Sequence, residues 1–300
     1  MKTDTLRARL AGAKSHEEWV GALARYFRAH GAFFGHGTDN AEDEAFWLIR
    51  QCQGWRDGLW DAAPDPALVD AVADLAERRV TERVPLAYLI GEAWFAGLPF
   101  HVDRNVLVPR SPLAEIIERG FEPWVSLAPG DRVLDVGTGS GCIAVAAAHY
   151  CPEVEVDATD VSEAALALAA RNAARHGVSD RVHLHAADLF PDRGGPYRVI
   201  ISNPPYVPAG AVETLPAEYR AEPELGLVGG PAGVEQAERL VRGARHRLTP
   251  DGVLIVEVGA EAETLMARHP RFPAVWLELE RGGEGVFVLT ADQLEGPLLD

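Results

Sequence analysis

From about residue 131 onward, short apolar runs of strand length alternate with segments of helix length. That rhythm predicts an α/β fold: a mostly parallel sheet covered on both faces. The last two strand signals, 274–280 and 285–289, are joined by a short turn at Gly282-Gly283 that leaves no room for a crossover. They are expected to pair as an antiparallel hairpin, which puts an antiparallel strand at the edge of the sheet. Upstream the texture differs. Five of the seven tryptophans (Trp19, Trp47, Trp55, Trp60, Trp94) lie in the first hundred residues, where helical spacing dominates. A small helical N-terminal domain carrying a β-hairpin is therefore expected before the sheet, and 300 residues accommodate two such domains.

Apolar positions recur at helical spacing over 16–30, over 40–53 (Ala45, Leu48, Ile49) and over 67–83. Two aromatic-rich runs flank Gly97 between 92 and 102, a hairpin signal. Arg132–Val136 reads as a buried strand, followed by a glycine loop and an alanine-rich helix through Tyr150. Val154–Thr159 is the next strand, and Ser162 is placed to cap a helix running to about Arg175. Strands follow at 181–185 and 197–201, then a loop-rich stretch to Gly233, a helix to Leu248, a strand at 253–258 and a helix near 261–268.

Net charge is −17 with 28 basic against 45 acidic residues. Phosphate contact supplies most of the affinity in nucleic-acid binding and calls for basic surface, so direct nucleic-acid binding is disfavoured. A basic protein partner suits an acidic surface better. No apolar run reaches the roughly 18–20 residues of a membrane span, and no apolar stretch follows Met1–Arg7 to make a secretory leader. Three cysteines without CxxC spacing fit buried thiols in a reducing compartment, so the expected location is cytoplasmic. His183 and His185 share one strand face but lack a third ligand nearby in sequence; they are read as structural, and no metal is expected.

Asp135-Val136-Gly137-Thr138-Gly139-Ser140-Gly141 joins a buried strand to a helix. Glycines at alternate positions let backbone approach a ligand, and a helix start presents unpaired N–H groups. Strand carboxyl ends are where doubly wound sheets bind ligands. The spacing is GxGxG rather than the GxGxxG of dinucleotide enzymes, and a tight turn also favours glycine. Asp160 ends the following strand, where a carboxylate can accept both hydroxyls of a ribose. Asp188 stands after the next strand, within possible reach of an adenine amino group, with structural roles equally open. Together these residues point to an adenosine-bearing cofactor without separating S-adenosylmethionine from NAD.

Asn203-Pro204-Pro205-Tyr206 follows the fourth strand of this series. Asn-Pro and Pro-Pro are turn signals in their own right. The set as a whole suits a planar amide nitrogen, which is a poor nucleophile because its lone pair is delocalised. Alkylating it calls for acceptors to both N–H bonds. Asn203 offers a side-chain oxygen, Pro204 a carbonyl directed by two rigid rings, and Tyr206 a flat face for the amide to pack on.

With this motif the sequence resembles the class I methyltransferases that act on amide or exocyclic amino nitrogens. Over nearly its whole length it is similar to the bacterial protein-(glutamine-N5) methyltransferases. The resemblance implies a Rossmann-like, seven-stranded S-adenosylmethionine-dependent methyltransferase domain over 111–300 and a substrate-binding domain over 1–110. It implies S-adenosylmethionine held by Asp135, Gly137, Thr138, Gly139, Ser140, Gly141, Asp160, Asp188, Leu189 and Asn203, with Asn203, Pro204, Pro205 and Tyr206 holding the substrate glutamine. Arg83–Leu89 and Trp94–Gly97 are similar to both branches of the family. Val106–Glu115, Leu215–Leu227 and Gly282–Phe287 look like the branch that modifies large-subunit ribosomal protein 3. The release-factor branch usually carries an acidic pair soon after the Pro-Arg step and often a Trp where Leu189 stands. Release-factor methylation, a nucleic-acid amino-group methyltransferase, a dinucleotide oxidoreductase and a non-catalytic ribosome-assembly factor are the rival readings.

Overall fold

Two sets of packed elements make up the chain in the computed structural model, which describes residues 5–54 and 63–295. Met1–Asp4, Trp55 and Trp60 lie outside the described residues. One compact unit runs to Glu92 and takes in Pro216–Ala221; the other holds Ala93–Leu215 and the chain from Glu222 onward.

The first unit is helical: α1 (Leu6–Gly12), α2 (His16–Ala29), α3 (Ala41–Gln53), α4 (Val69–Thr81) and α5 (Leu86–Ile90). Thr5, Ser15 and Asn40 cap the first three of these, each accepting a first-turn N–H on its side-chain oxygen. The expected helix over 67–83 begins as a single tight turn at Pro66–Leu68, with Asp65 accepting the Ala67 N–H, before α4 proper. Trp19, Leu23, Phe27, Leu48, Ile49 and Val72 are buried. Trp19 Nε1 donates to the Leu10 carbonyl at 2.8 Å and ties α2 to α1. Arg79 on α4, fully buried, donates to Glu44 and, at 3.0 Å, to Glu218 of the inserted segment. Glu218 also accepts the Phe33 N–H at 3.0 Å. That long-range ionic network, invisible to periodicity, is why residues 216–221 fold with the helices.

The second unit opens with the hairpin β1 (Glu92–Phe95) and β2 (Leu98–His101), then α6 (Leu113–Glu118). Next come β3 (Arg132–Val136), α7 (Cys142–Tyr150), β4 (Glu155–Asp160), α8 (Glu163–Arg175), β5 (Val182–Ala186) and β6 (Tyr197–Ser202). The chain continues through β7 (Val207–Pro208), α9 (Glu224–Leu227), β8 (Val228–Gly230), α10 (Glu235–Ala244) and β9 (Leu248–Glu257). It finishes with α11 (Ala262–Arg268), β10 (Val275–Trp276) and β11 (Val286–Thr290). Seven strands form the main sheet in the order β10-β11-β9-β6-β3-β4-β5. From β9 to β5 all pairings are parallel, while β11 runs antiparallel to both β9 and β10. The expected terminal hairpin is present, with its antiparallel strand one place in from the edge. Its first arm is shorter than 274–280, because the N–H groups of Glu280 and Arg281 donate to the Glu115 carboxylate instead of to a ladder.

Alternate residues of the sheet feed two cores, as the two-residue period of strands requires. Val133, Val199, Ile201 and Ile255 pack with Phe100, Ile117 and Ile143 on one face. Leu134, Ile200, Leu254 and Val256 pack with Leu240, Val241 and Leu265 on the other. The hairpin belongs to this unit rather than to the helical one, so the division falls at residue 92 and not at 110. Phe95 and Phe100 are in the first core. Asn172 on α8 accepts the His101 N–H at 2.8 Å and donates to the His101 carbonyl at 3.0 Å. His176 Nε2 bonds the Pro99 carbonyl at 2.8 Å, and the Tyr150 hydroxyl donates to the Ala96 carbonyl at 2.8 Å.

Candidate active site

A cavity of about 350 Å³ lies at the carboxyl ends of β3, β4, β5 and β6, where Val136, Asp160, Ala187 and Asn203 reach its wall. Its position follows from the topology, since parallel strands open crevices at their carboxyl ends.

The glycine loop forms one side. The N–H groups of Gly137 and Thr138 both donate to the Thr159 carbonyl, at 2.9 and 2.8 Å. Gly139 N–H donates to Asp160 Oδ2 at 2.9 Å, and Ser162 N–H to Asp160 Oδ1 at 2.8 Å. Gly137 and Gly139 have φ of +72° and +54°, and a Cβ on either would meet open space. That space is where a ligand can lie against bare backbone. Gly141 (φ +80°) serves another purpose: a Cβ there would lie 2.9 Å from the Ala169 Cβ, so this glycine lets α7 start against α8.

Asp135 stands behind the loop, fully buried. Its Oδ2 accepts the Thr138 hydroxyl at 2.5 Å and the Ala144 N–H at 3.1 Å, which fixes the loop to the start of α7. Its Oδ1 is buried and has no hydrogen-bond partner among the described residues. Burial pushes its carboxyl up to about 7, against the pull of those two bonds, and the Asp160 charge adds to the rise.

Leu189 adopts φ +72°, and its carbonyl takes the Thr159 hydroxyl at 2.6 Å. Asp188 borders the cavity, with Oδ2 accepting from Arg239 of α10 at 2.7 Å. Gly137, Gly139, Asp160, Asp188, Leu189, Asn203 and Pro205 all line the same space. Thr138, Ser140, Gly141, Pro204 and Tyr206 do not line it, and neither does Asp135.

The Asn203–Tyr206 loop is held from behind by glycines of later segments. A Cβ on Gly229 would lie 2.5 Å from the Pro205 carbonyl oxygen, and one on Gly233 2.3 Å from that of Tyr206. β7 pairs in parallel with β8 just beyond. Two further runs complete the wall: Asn105–Leu107, and Pro223 with Leu225, Gly226 and Val228. The Arg110 guanidinium joins these runs through two bonds of 2.6 Å to the Glu222 carboxylate, which also accepts the Val108 N–H at 3.0 Å. Such paired bonds fix both distance and angle.

Arg110, Glu222, Asn172 and Glu257 are the structural supports that sequence reading missed. Asn172 Nδ2 donates to the Ser140 carbonyl at 2.7 Å, linking the glycine loop to the hairpin. The signal for Glu257 was an acid ending a four-residue apolar run; for Arg110 and Glu222 it was their place in runs read only as branch markers. Among the described residues, no group of three or more His, Cys, Asp or Glu side chains could hold a metal, and no helix is long and apolar enough to cross a membrane. His183 and His185 instead bond the Glu155 and Asp157 carboxylates at 2.7 and 2.9 Å.

A seven-stranded mixed sheet with a glycine loop after one strand and Asn-Pro-Pro-Tyr after its neighbour defines a class I methyltransferase, and residues 124–218 match the methyltransferase small domain family. The ribosomal protein uL3 glutamine methyltransferase of Bordetella pertussis is 45% identical over 87% of this chain and 89% of its own length. That of Xanthomonas campestris is 45% identical over 91% of each. Among solved structures, a methyltransferase from Pyrococcus furiosus is 22% identical, covers 65% of this chain and 89% of its own, and superposes with a TM-score of 0.48. The chain belongs to the family of ribosomal protein uL3 glutamine methyltransferases.

Proposed function

We propose that the protein transfers a methyl group from S-adenosylmethionine to the N5 side-chain amide of a glutamine in ribosomal protein uL3. The observation that carries this reading is the shared cavity: Asn203 and Pro205 of the amide-binding motif border the same space as Gly137, Gly139 and Asp160. The residues fit the cofactor. Two glycines leave room where any side chain would intrude, Asp160 keeps a carboxylate at the wall, and the volume is within the roughly 300–1,000 Å³ of small-molecule sites. S-adenosylmethionine, when bound, supplies an electrophilic methyl on a sulfonium.

The chain's own residues do the rest. Gly137, Gly139, Asp160, Asp188 and Leu189 bind and orient the adenosine portion, with Asp135, Thr138, Ser140 and Gly141 setting the loop that does so. The Asn203 side-chain oxygen and the Pro204 carbonyl accept the two amide N–H bonds, turning the nitrogen towards the methyl and stabilising the positive charge that develops there. Tyr206 gives the amide a flat surface. Alignment supplies most of the rate. The extra proton on the methylated amide is acidic enough to leave to water, so no general base is required.

The helical unit serves as the docking domain for the substrate protein. A surface bearing a net charge of −17 favours encounter with a basic ribosomal protein and disfavours nucleic acid. The reaction would take place in the cytoplasm, where the thiols of Cys52, Cys142 and Cys151 stay free. The test is methyl transfer from labelled S-adenosylmethionine to uL3 and to a release factor side by side. Label on a glutamine of uL3 alone is expected. Label on the release factor alone would overturn the substrate, and label on neither would overturn the reaction.

A further inference from the structure

Glu257 ends β9 and is 3% exposed, and its two oxygens have different partners. The Tyr206 hydroxyl donates to Oε1 at 3.2 Å and the Ser111 hydroxyl donates to Oε2. On its other side the Tyr206 ring abuts Gly259, where a Cβ would lie 2.9 Å from the ring. The ring thus has a packing surface on one side and a single anchored atom at its tip.

We infer that Glu257 is the positioning residue for Tyr206: by accepting the Tyr206 and Ser111 hydroxyls together, it sets the ring plane against which the acceptor amide packs. The inference rests on the methyl-transfer reading above. Each hydroxyl has one proton to donate, and an ionised carboxylate accepts both, one on each oxygen, with no proton of its own to place between them. A protonated Glu257 must donate to one of them, which then has to aim its own proton elsewhere. Burial pushes the Glu257 carboxyl up to about 7, while the bonds from Ser111 and Tyr206 and the Arg110 charge act in the opposite direction. Its partner across the ladder, Val286 of β11, is apolar. The two states therefore exchange near neutral pH, and only one of them holds the ring from the phenol end.

The test compares the intact protein with Glu257→Gln, Tyr206→Phe and the double variant, using uL3 and labelled S-adenosylmethionine. Glu257→Gln should lower kcat by ~100-fold, the loss expected of a small misplacement, with affinity for S-adenosylhomocysteine unchanged. The double variant should be no slower than the slower single variant, since both changes cut one linkage. The rise of kcat through pH 7 should vanish in Glu257→Gln. Wild-type kcat in Glu257→Gln, or losses that multiply in the double variant, would overturn the inference.

A second readout needs no substrate: the ring resonances of 13C-labelled tyrosine, with Tyr206 assigned from Tyr206→Phe. They should move in Glu257→Gln and, by a smaller amount, in Ser111→Ala. A Tyr206 signal unmoved in both variants would overturn the positioning role whether or not the wild type methylates uL3. Failure of the wild type to label any glutamine would instead count against the proposed reaction.

Discussion

The glycine loop after β3 and the Asn203–Tyr206 loop after β6 border one cavity, yet they are held by different means. The first is fixed by near neighbours: Thr159 and Asp160 on the adjacent strand accept its N–H groups, and Asp135 spans it from one end to the other. The second is fixed by distant segments, with Gly229, Gly233 and Gly259 pressed against it and Glu257 at the tip of its tyrosine. A loop held by its neighbours keeps its shape as long as the strand pair does. A loop held from afar depends on the correct assembly of everything that follows it. The glycine loop is thus held mainly by its neighbours, and the Asn203–Tyr206 loop depends on distant segments.

Asn203→Ala should break that comparison most severely. The proposed acceptor for one amide N–H is lost, and removing one such transition-state partner costs ~100- to 1,000-fold in kcat. Calorimetry with S-adenosylhomocysteine should find its affinity within a few-fold of wild type. A variant that keeps its turnover would remove Asn203 from the mechanism; one that loses the cofactor as well would show the two loops to be a single support.

Within the glycine loop the same contrast can be drawn more finely. Gly139→Ala places a methyl in open space at φ +54°, a strain of about 1–2 kcal/mol, and should weaken S-adenosylhomocysteine binding more than it lowers the melting temperature. Gly141→Ala drives a methyl against the Ala169 Cβ at 2.9 Å and adds overpacking of about 1–3 kcal/mol. Its larger effect should be on the melting temperature, by calorimetric scan. If both variants lost affinity and stability in the same proportion, the loop's glycines would have one role and not two.

The same division between near and far decides what could be read from the sequence. The β3–loop–α7 turn, Asp160 and the Ser162 cap are local patterns, and each appears within a few residues of its expected place. Asn203–Tyr206 stands out in the sequence because four adjacent residues suit one planar group, the amide of the proposed substrate. Its supports were not, because nothing near Glu257 indicates that a tyrosine 51 positions upstream will donate to it. The insertion of Pro216–Ala221 into the helical unit was hidden for the same reason: the Arg79–Glu218 pair spans 139 positions. The hairpin is a local pattern, but the unit it packs with is not. Its tie to α8 passes through Asn172, a polar residue buried mid-helix that no local pattern marks.

Asp157 gives a distant-partner cluster that has no part in the cavity, and so a control for the whole comparison. It lies within β4, 2% exposed, and accepts from Arg132 at 2.5 Å and the Tyr197 hydroxyl at 2.8 Å while bonding His185 at 2.9 Å. Burial pushes its carboxyl up, but the bonds from Arg132, His185 and Tyr197 prevail and hold it below the usual aspartate range. A depressed carboxyl stabilises the fold above its unfolded value of about 3.9, and that contribution is lost as pH falls through the lower folded value. Asp157→Asn should cost about 1–3 kcal/mol at pH 7, from the Arg132 guanidinium left imperfectly paired. It should also flatten the acid limb of stability measured by urea unfolding between pH 5 and pH 2. Turnover per folded molecule should stay at the wild-type level. If kcat fell with stability, distant support anywhere in the sheet would reach the cavity, and the acceptor loop would lose its claim to be the sensitive side.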